Sequence, residues 1–591
     1  MSNITPKHEL SKYFANPANS LHKQYLALRR FFLDGYTAEQ VANEFGYAVG
    51  TVYALVRDFK DKLKNDTDDP FFKVNKVGRK PVDQQGEIET QIIDCRKKYY
   101  SVPDIKITLD GLGFNVSEGY IYETIRKAGF ARLPRRSKVA KNEMLSAATE
   151  TIVAPVAKRL ILSCESFSTQ LAGLLCFLPY IVRYGIYDVI SESAYPQTSD
   201  INRVSSILAF VALKLSNVKR YSSDDTWCMD RGMGLFAALN VLPKAAWFSS
   251  YSSAVTRDMN LAFLRHMQSV WRENNLLSDT VNLDFTTIPY WGDDDSLENN
   301  WSGKRGKALA SICAVIAQDP HHGIICYGDT TIRHETQSDV VLEFLDFYHV
   351  DKTIDSNLKY LVFDSRFTSY ENLDKLNHKG IKFVTIRRRG KKLEEYIRQI
   401  ADSQWKTVKV KRANGKSRNV TTFEEFTKIK GYNDTIRQIF IKDNGKIKPA
   451  VIISNELELP LSALIQKYAG RWLVETEISE HIDFFHLNRN SSGIVIKVDF
   501  DLTMSILAHN IYRLFALDFD GYAHCEAQTI FDKFISTQGF IEISSETHGI
   551  TVSLKKKRTL PLILETMATF RGLSFPWLQN ASVTFVANTS T

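Results

Sequence analysis

Leu358 to Gly390 reads LKYLVFDSRFTSYENLDKLNHKGIKFVTIRRRG. Its apolar run Tyr360–Phe363 is short, β-prone and bounded by charge, the signature of a strand buried on both faces of a parallel sheet. Asp364 stands at the carboxyl end of that run. Ser369 to His378 places Leu373 and Leu376 on one helical face with Gly380 as its stop, and Ile381–Ile386 alternates into a second strand. Ligands in open α/β sheets collect at the carboxyl ends of strands, where loops project side chains from a rigid support. Asp364 is therefore a site candidate, in competition with a plain N-cap or turn role. Its companions decide between the two.

Upstream, Thr280–Tyr290 alternates, with Val281, Leu283 and Phe285 on one face and Asp284 on the other. A loop, GDDDSLENNWSGKRGK, leads to a second strand at Ala308–Gln318, and a third follows at Gly323–Arg333. A helix with Val340, Val341, Phe344, Leu345 and Phe347 inward precedes Tyr360–Phe363. The three early strands are predicted to pair antiparallel, with the two later ones added in parallel through crossover helices. After Arg389 the pattern changes to basic β-ribbons turning at Asn414-Gly415 and Asn444-Gly445. A helix then opens at Pro460 and runs through SALIQKYAGRWLVETEISEHIDFF. On it Tyr468, Arg471, Glu475, Ile478 and Ile482 form one stripe. Glu475 thereby faces the domain, where it is either an ordinary helix ion pair with Arg471 or a companion of Asp284 and Asp364.

A chain of 591 residues exceeds a single core and implies several domains. Net charge is +8, and it is concentrated: residues 71–138 hold 14 basic against 8 acidic side chains, and residues 381–420 hold 13 against 3. Such blocks suit a polyanionic partner as well as a solvated charged face. Seven scattered cysteines without a CxxC pair point to reduced thiols in a cytoplasmic setting and away from zinc or disulfide frameworks. Neither a secretory signal nor a membrane span is expected.

Residues 23–63 carry a helix-turn-helix pattern: Thr37 caps a helix with Val41, Ala42 and Phe45 inward, Gly46 turns, and a further helix leaves Thr51, Tyr53 and Arg57 exposed for a major groove. Arg79 and Lys80, within GRKP, suit a minor groove. A second similar unit ends in SEGYIYETIRKA, with Arg126, Lys127, Arg135 and Arg136 on its last helix and tail. An oligomerising bundle is the alternative role for that unit.

Three carboxylates on one sheet rim repel unless cations hold them together, and two Mg²⁺ ions do so in phosphoryl-transfer sites. Asp284, Asp364 and Glu475 are the candidate ligands and catalytic residues, with Mn²⁺ a possible substitute. Here the chain resembles bacterial insertion-sequence transposases with an Asp-Asp-Glu catalytic domain of the ribonuclease-H-like fold, nearest the branch typified by IS4-type elements. That branch carries a β-rich insertion before the Glu and a Tyr-x2-Arg-x3-Glu-x6-Lys signature. Tyr468, Arg471 and Glu475 match it, whereas Ile482 stands at the Lys position: either another base, His481, takes the DNA-end contact, or the chain belongs to a divergent subgroup. The resemblance implies hydrolysis at element ends followed by 3′-OH strand transfer into double-stranded target DNA. It also implies phosphate contacts from Tyr468 and Arg471, basic ribbons on flanking DNA (the Arg387, Arg388, Arg389 run among them), at least a homodimer in the active complex, and a nucleoid-associated location. A regulator that kept a dead nuclease fold, or a structure-selective nuclease, are the rival functions.

The expected organisation is multi-domain, all-α at the amino terminus and α/β in the catalytic part. It comprises a first helix-turn-helix at 1–65, a basic linker at 66–85, a second such unit at 86–140 and a helical connector at 141–275. The catalytic domain spans 276–390 and 456–520, with an inserted basic β-ribbon subdomain at 391–455 and a packing region at 521–591.

Overall fold

The computed structural model describes residues 16–17, 19–65, 71, 86–97, 100–130, 157–219, 224, 227–290, 297–302, 306–349, 357–367, 369–411, 417–442, 449–487, 495–544 and 549–588. The chain divides into two compact units, Met1–Gln84 and Gln85–Thr591.

The first unit is a trio of helices: α1 (Ser20–Phe32), α2 (Ala38–Phe45) and α3 (Val49–Asn65). Thr37 and Gln40 close a reciprocal capping box at the start of α2, and Gly46, at φ 65°, reverses the chain after it. Ala27, Val41, Ala42 and Val52 form the core. Thr51, Tyr53 and Arg57 stand exposed along α3. Arg79 and Lys80 lie outside the described residues.

The second unit opens with another trio, α4 (Glu87–Lys97), α5 (Val102–Gly111) and α6 (Glu118–Lys127). Its core of Ile92, Ile105, Leu109 and Ile121 is completed by Ile496 from far along the chain, so the trio is seated on the main body. Arg126 and Lys127 are exposed; Arg135 and Arg136 lie outside the described residues. Next come strand β1 (Glu165–Thr169) and a helical stretch that includes α7 (Arg203–Leu215), α8 (Ala245–Ala254) and α9 (Arg257–Glu273).

The main sheet begins with β2 (Thr280–Pro289), β3 (Asn299–Ser302), β4 (Lys307–Gln318) and β5 (Ile325–Ile332). β4 pairs antiparallel with β2, β3 and β5. Helix α10 (Val340–Tyr348) leads to β6 (Tyr360–Phe363), and α11 (Tyr370–His378) leads to β7 (Lys382–Ile386). β6 runs parallel to both β2 and β7. This is the predicted arrangement, except that the loop after β2 also contributes the short strand β3.

The segment after β7 folds as α12 (Lys391–Gln399), β8 (Lys406–Lys411), β9 (Ser417–Thr427), β10 (Ile436–Lys442) and β11 (Ala450–Ser454). β8 with β9 and β10 with β11 pair antiparallel as the two Asn-Gly turns predict, although the turns themselves lie outside the described residues. β11 also pairs with β7, through Ile452↔Ile386 and Ser454↔Val384. The insertion, expected as a ribbon subdomain, therefore continues the same sheet, giving the order β3-β4-β2-β6-β7-β11-β10-β9-β8 with β5 on β4. The physical reason is that β7 offers an open edge, while Val451, Ile452 and Ile453 of β11 are buried and need a sheet on both sides.

Alternation along the central strands feeds two layers. Val362, Val384 and Ile452 pack with Leu464 and Ile465, which belong to α13 (Leu461–Gly470). On the opposite face Leu361, Phe363 and Phe383 pack with Leu373 and Leu376 of α11. The predicted single helix from Pro460 is broken: α14 (Trp472–Asp483) starts anew after Arg471. At the break, Asn282 of β2 donates from Nδ2 to the Gly470 carbonyl at 3.0 Å.

Helix α15 (Val495–Leu517) is buried from Ile496 to Ala516. Its Phe500, Met504 and Ile511 share one core with Phe177, Phe210 and Trp271 upstream and Phe534, Ile541 and Val552 downstream. The stretch read as a connector and the carboxyl-terminal stretch are thus one body. They are stitched by β1 pairing antiparallel with β12 (Gly539–Ser544) in a sheet of order β1-β12-β13-β15-β14, where β13 is Gly549–Leu554, β14 Ser574–Phe575 and β15 Ala581–Ala587.

Candidate active site

The parallel pairing of β2 with β6 ends at Leu283↔Phe363, which sets Asp284 and Asp364 side by side one residue further on. Each carboxylate is anchored by the next amide: Asp284 Oδ1 accepts from Phe285 N at 2.9 Å and Asp364 Oδ1 from Ser365 N at 2.7 Å. One oxygen of each is therefore held by backbone. The Arg471 guanidinium donates to Asp284 Oδ2 at 2.6 Å and to Glu475 Oε1 at 2.6 Å. The Asp284 and Arg471 side chains are 13% and 9% exposed, against 50% for Glu475. The cluster thus runs from a buried floor to an open rim.

Burial pushes the Asp284 carboxyl up to about 6; Arg471 opposes this, while Glu475 and Asp364 add to it. One guanidinium is what keeps these acids together. Tyr468, one turn earlier, has its ring 5.7 Å from the Arg471 guanidinium carbon, and burial raises its phenol to about 12. An all-oxygen donor set balanced by a side-chain cation is the chemistry that hard divalent cations such as Mg²⁺ and Mn²⁺ suit. Asp284, Asp364 and Glu475 fit that requirement.

Arg387, Arg388 and Arg389 follow the carboxyl end of β7, on the same sheet edge as the acids. Arg387 donates to Gln438 Oε1 and Arg389 to the Pro449 carbonyl, while Arg388 is exposed. His481, the alternative base for a DNA-end contact, is wholly buried beside His509 and Phe485. It points into the core and is corrected as a DNA-contact residue, because position 481 falls on the inner side of α14. Trp301 is 53% exposed on β3, and Asp293–Asp295 lie outside the described residues. Asp329 is ion-paired with Arg257 at 3.1 Å and His334 contacts Asn300 at 2.9 Å, away from the acids.

Sequence reasoning missed the clamp on α13, the helix that leads into the Glu-bearing one. Lys467 Nζ reaches Thr280 Oγ1 at 2.8 Å and lies 3.9 Å from the Tyr360 ring centroid, so it pins α13 to the starts of β2 and β6. A lysine among the apolar residues of α13 was its only trace.

Residues 278–511 match the family model of the transposase DDE domain. The sheet with its acids is such a domain, and its limits coincide with the start of β2 and the interior of α15. The chain therefore carries a transposase DDE domain over that stretch. No curated protein matches the chain. Among solved structures, a piggyBac transposase synaptic complex with hairpin DNA aligns over 61% of this chain and 85% of that chain, at 12% identity and a TM-score of 0.29. No single helix among the described residues is long and apolar enough to cross a membrane.

Proposed function

We propose that this transposase cleaves at the ends of an insertion sequence and joins the freed 3′-OH to target DNA, with Asp284, Asp364 and Glu475 holding two Mg²⁺ ions in a ribonuclease-H-like domain of the IS4 kind. The observation that carries the reading is the convergence of these three carboxylates, from two strands and a helix, around Arg471. Asp284, Asp364 and Glu475 would hold the ions, which would supply activation of the attacking oxygen and stabilisation of the leaving oxygen in an in-line displacement. Asp284 and Asp364 supply rigid ligand positions because their backbones belong to one sheet. Glu475 sits on a separate helix, so its position depends on how α14 is held. Arg471 neutralises the acids, and with cations bound there it would be available, with Tyr468, to phosphates of the transferred end.

In the same reading Arg387, Arg388 and Arg389 grip flanking DNA. Thr51, Tyr53 and Arg57 enter a major groove, Arg79 and Lys80 follow a minor groove, and Arg126, Lys127, Arg135 and Arg136 hold phosphates. Two element ends require at least a homodimer in the DNA complex, acting at the bacterial nucleoid.

The test is strand cleavage of the element's own terminal DNA with Mg²⁺, comparing wild type with Asp364→Asn. Loss of cleavage with DNA binding retained supports the triad; equal cleavage by both overturns it. Joining of the 3′-OH end to plasmid DNA separates a transposase from a plain nuclease, and a regulator performs neither step.

A further inference from the structure

Beneath the acids, the inner side of α14 carries a second set of ionisable groups. Glu477 and Glu480 meet His509 of α15, with Glu477 Oε2 at 3.0 Å from Nε2 and Glu480 Oε2 at 3.0 Å from Nδ1. The ligand atoms of these three residues all lie within 4.8 Å of one another. The remaining carboxylate oxygens are held from outside the cluster: Gln318 Nε2 donates to Glu477 Oε1 at 3.1 Å, and Ala527 N donates to Glu480 Oε1. His509 Nε2 also stands 3.0 Å from the Gly323 carbonyl. A ring nitrogen oriented by a backbone carbonyl, and carboxylates with one oxygen tied back, are the supporting contacts that metal ligands receive.

The independent observation is His481. It has 0% exposure, its ring lies 5.3 Å from that of His509, and neither of its nitrogens has a hydrogen-bond partner. Buried polar groups without a partner are rare and call for a cause. The ring of His481 packs beside that of His509, at the edge of the carboxylate–imidazole cluster.

We propose that Glu477, Glu480 and His509 bind one divalent transition-metal ion, separate from the acids of the proposed active site, with the unpartnered ring of His481 packed beside it. Two carboxylates balance the ion's charge, and the imidazole favours Zn²⁺, Co²⁺, Fe²⁺ or Mn²⁺ over Mg²⁺. On binding, the ion takes the place of the Nδ1 proton of His509, which leaves to solvent. The ion ties α14, and with it Glu475, to α15; its role is to position the Glu-bearing helix.

The test uses full-length protein with Asp284→Asn, Asp364→Asn and Glu475→Gln combined, so that the DNA-facing acids no longer compete. After chelation and dialysis it is titrated with Co²⁺ and followed by visible absorption. The expected result is one Co²⁺ per chain and a rise in Tm with Zn²⁺ that Mg²⁺ does not reproduce. Glu477→Gln, an isostere whose amide oxygen can keep the Gln318 contact, weakens Co²⁺ binding by roughly 10–100-fold. Absence of a Co²⁺ band in the triple variant, or undiminished Co²⁺ affinity when Glu477→Gln is added to it, overturns the proposal. Because the acids are already removed, either result is independent of whether they catalyse cleavage.

Discussion

Arg471 Nη1 lies 2.6 Å from Asp284 Oδ2 across 187 residues of sequence, so the cation at the α13–α14 break is engaged by the acid of β2. A positive charge in that position competes with a divalent cation. Arg471→Gln is expected to bind Mn²⁺ at the acid cluster about tenfold more tightly in the absence of DNA, a change of ~1.4 kcal/mol. Calorimetric titration of the two proteins decides this, and equal affinities would remove the competition.

Asp284→Asn and Glu475→Gln are each expected to lower strand cleavage by on the order of 10²–10⁴-fold, since on the proposed function each would delete an anionic ligand worth several kcal/mol of transition-state stabilisation. Glu477 and Glu480 cannot stand in for Glu475, because both are turned inward to His509. Near-wild-type cleavage by Glu475→Gln would move the third acid elsewhere.

Lys497 is buried at the start of α15 and donates to the Ser249 carbonyl of α8 at 2.7 Å. Burial lowers its amine to about 7, below the ordinary ~10.4 of the unfolded chain. Between these values the unfolded state binds a proton that the folded state does not, so this group's cost is full below pH ~7 and fades as pH rises toward ~10.4. Lys497→Met should therefore be more stable than wild type by on the order of 3 kcal/mol near pH 6, with the advantage shrinking by pH 10. Urea unfolding at the two pH values measures it; a pH-independent difference would contradict the mechanism.

Asn455 finishes β11 by acting as one more strand residue. Its Oδ1 accepts from Phe383 N at 2.8 Å and its Nδ2 donates to the Ile381 carbonyl at 3.0 Å. Asn455→Ala orphans both buried groups and should cost about 2–3 kcal/mol, lowering Tm, while Asn455→Asp retains the Phe383 contact and should cost less.

Arg57, exposed on α3, is expected to neutralise one phosphate. Arg57→Ala should reduce the slope of log affinity against log salt by about 1, read by fluorescence anisotropy on duplex DNA. An unchanged slope would place the DNA face of this helix trio elsewhere.

The strand–helix–strand around Asp364 was legible because burial on both faces writes an uninterrupted apolar run, and Asn-Gly turns announced which later strands pair. The placing of Asp284 on a strand, of Asp364 just past one and of Glu475 on a helix was legible too. What stayed hidden depended on partners distant in sequence. Nothing local tells β11 that β7 has a free edge, and Arg471 and Glu475 looked like an ordinary i,i+4 pair until Asp284 came within reach. The inner acids Glu477 and Glu480 acquire meaning only from His509. The break after Gly470 arises from Asn282, which sits on a strand far upstream.

Helix α15 serves three cores at once: Ile496 closes the helix trio, Val498, Leu502 and Ile506 back the main sheet, and Phe500, Met504 and Ile511 fill the helical body. During synthesis the strand bearing Asp284 emerges long before this helix exists. A ribosome-bound chain therefore holds Asp284 on an unfinished support until translation has passed Leu517. Expression of the matched domain alone, ending inside α15, would strip both the last turns of that helix and the body that covers it.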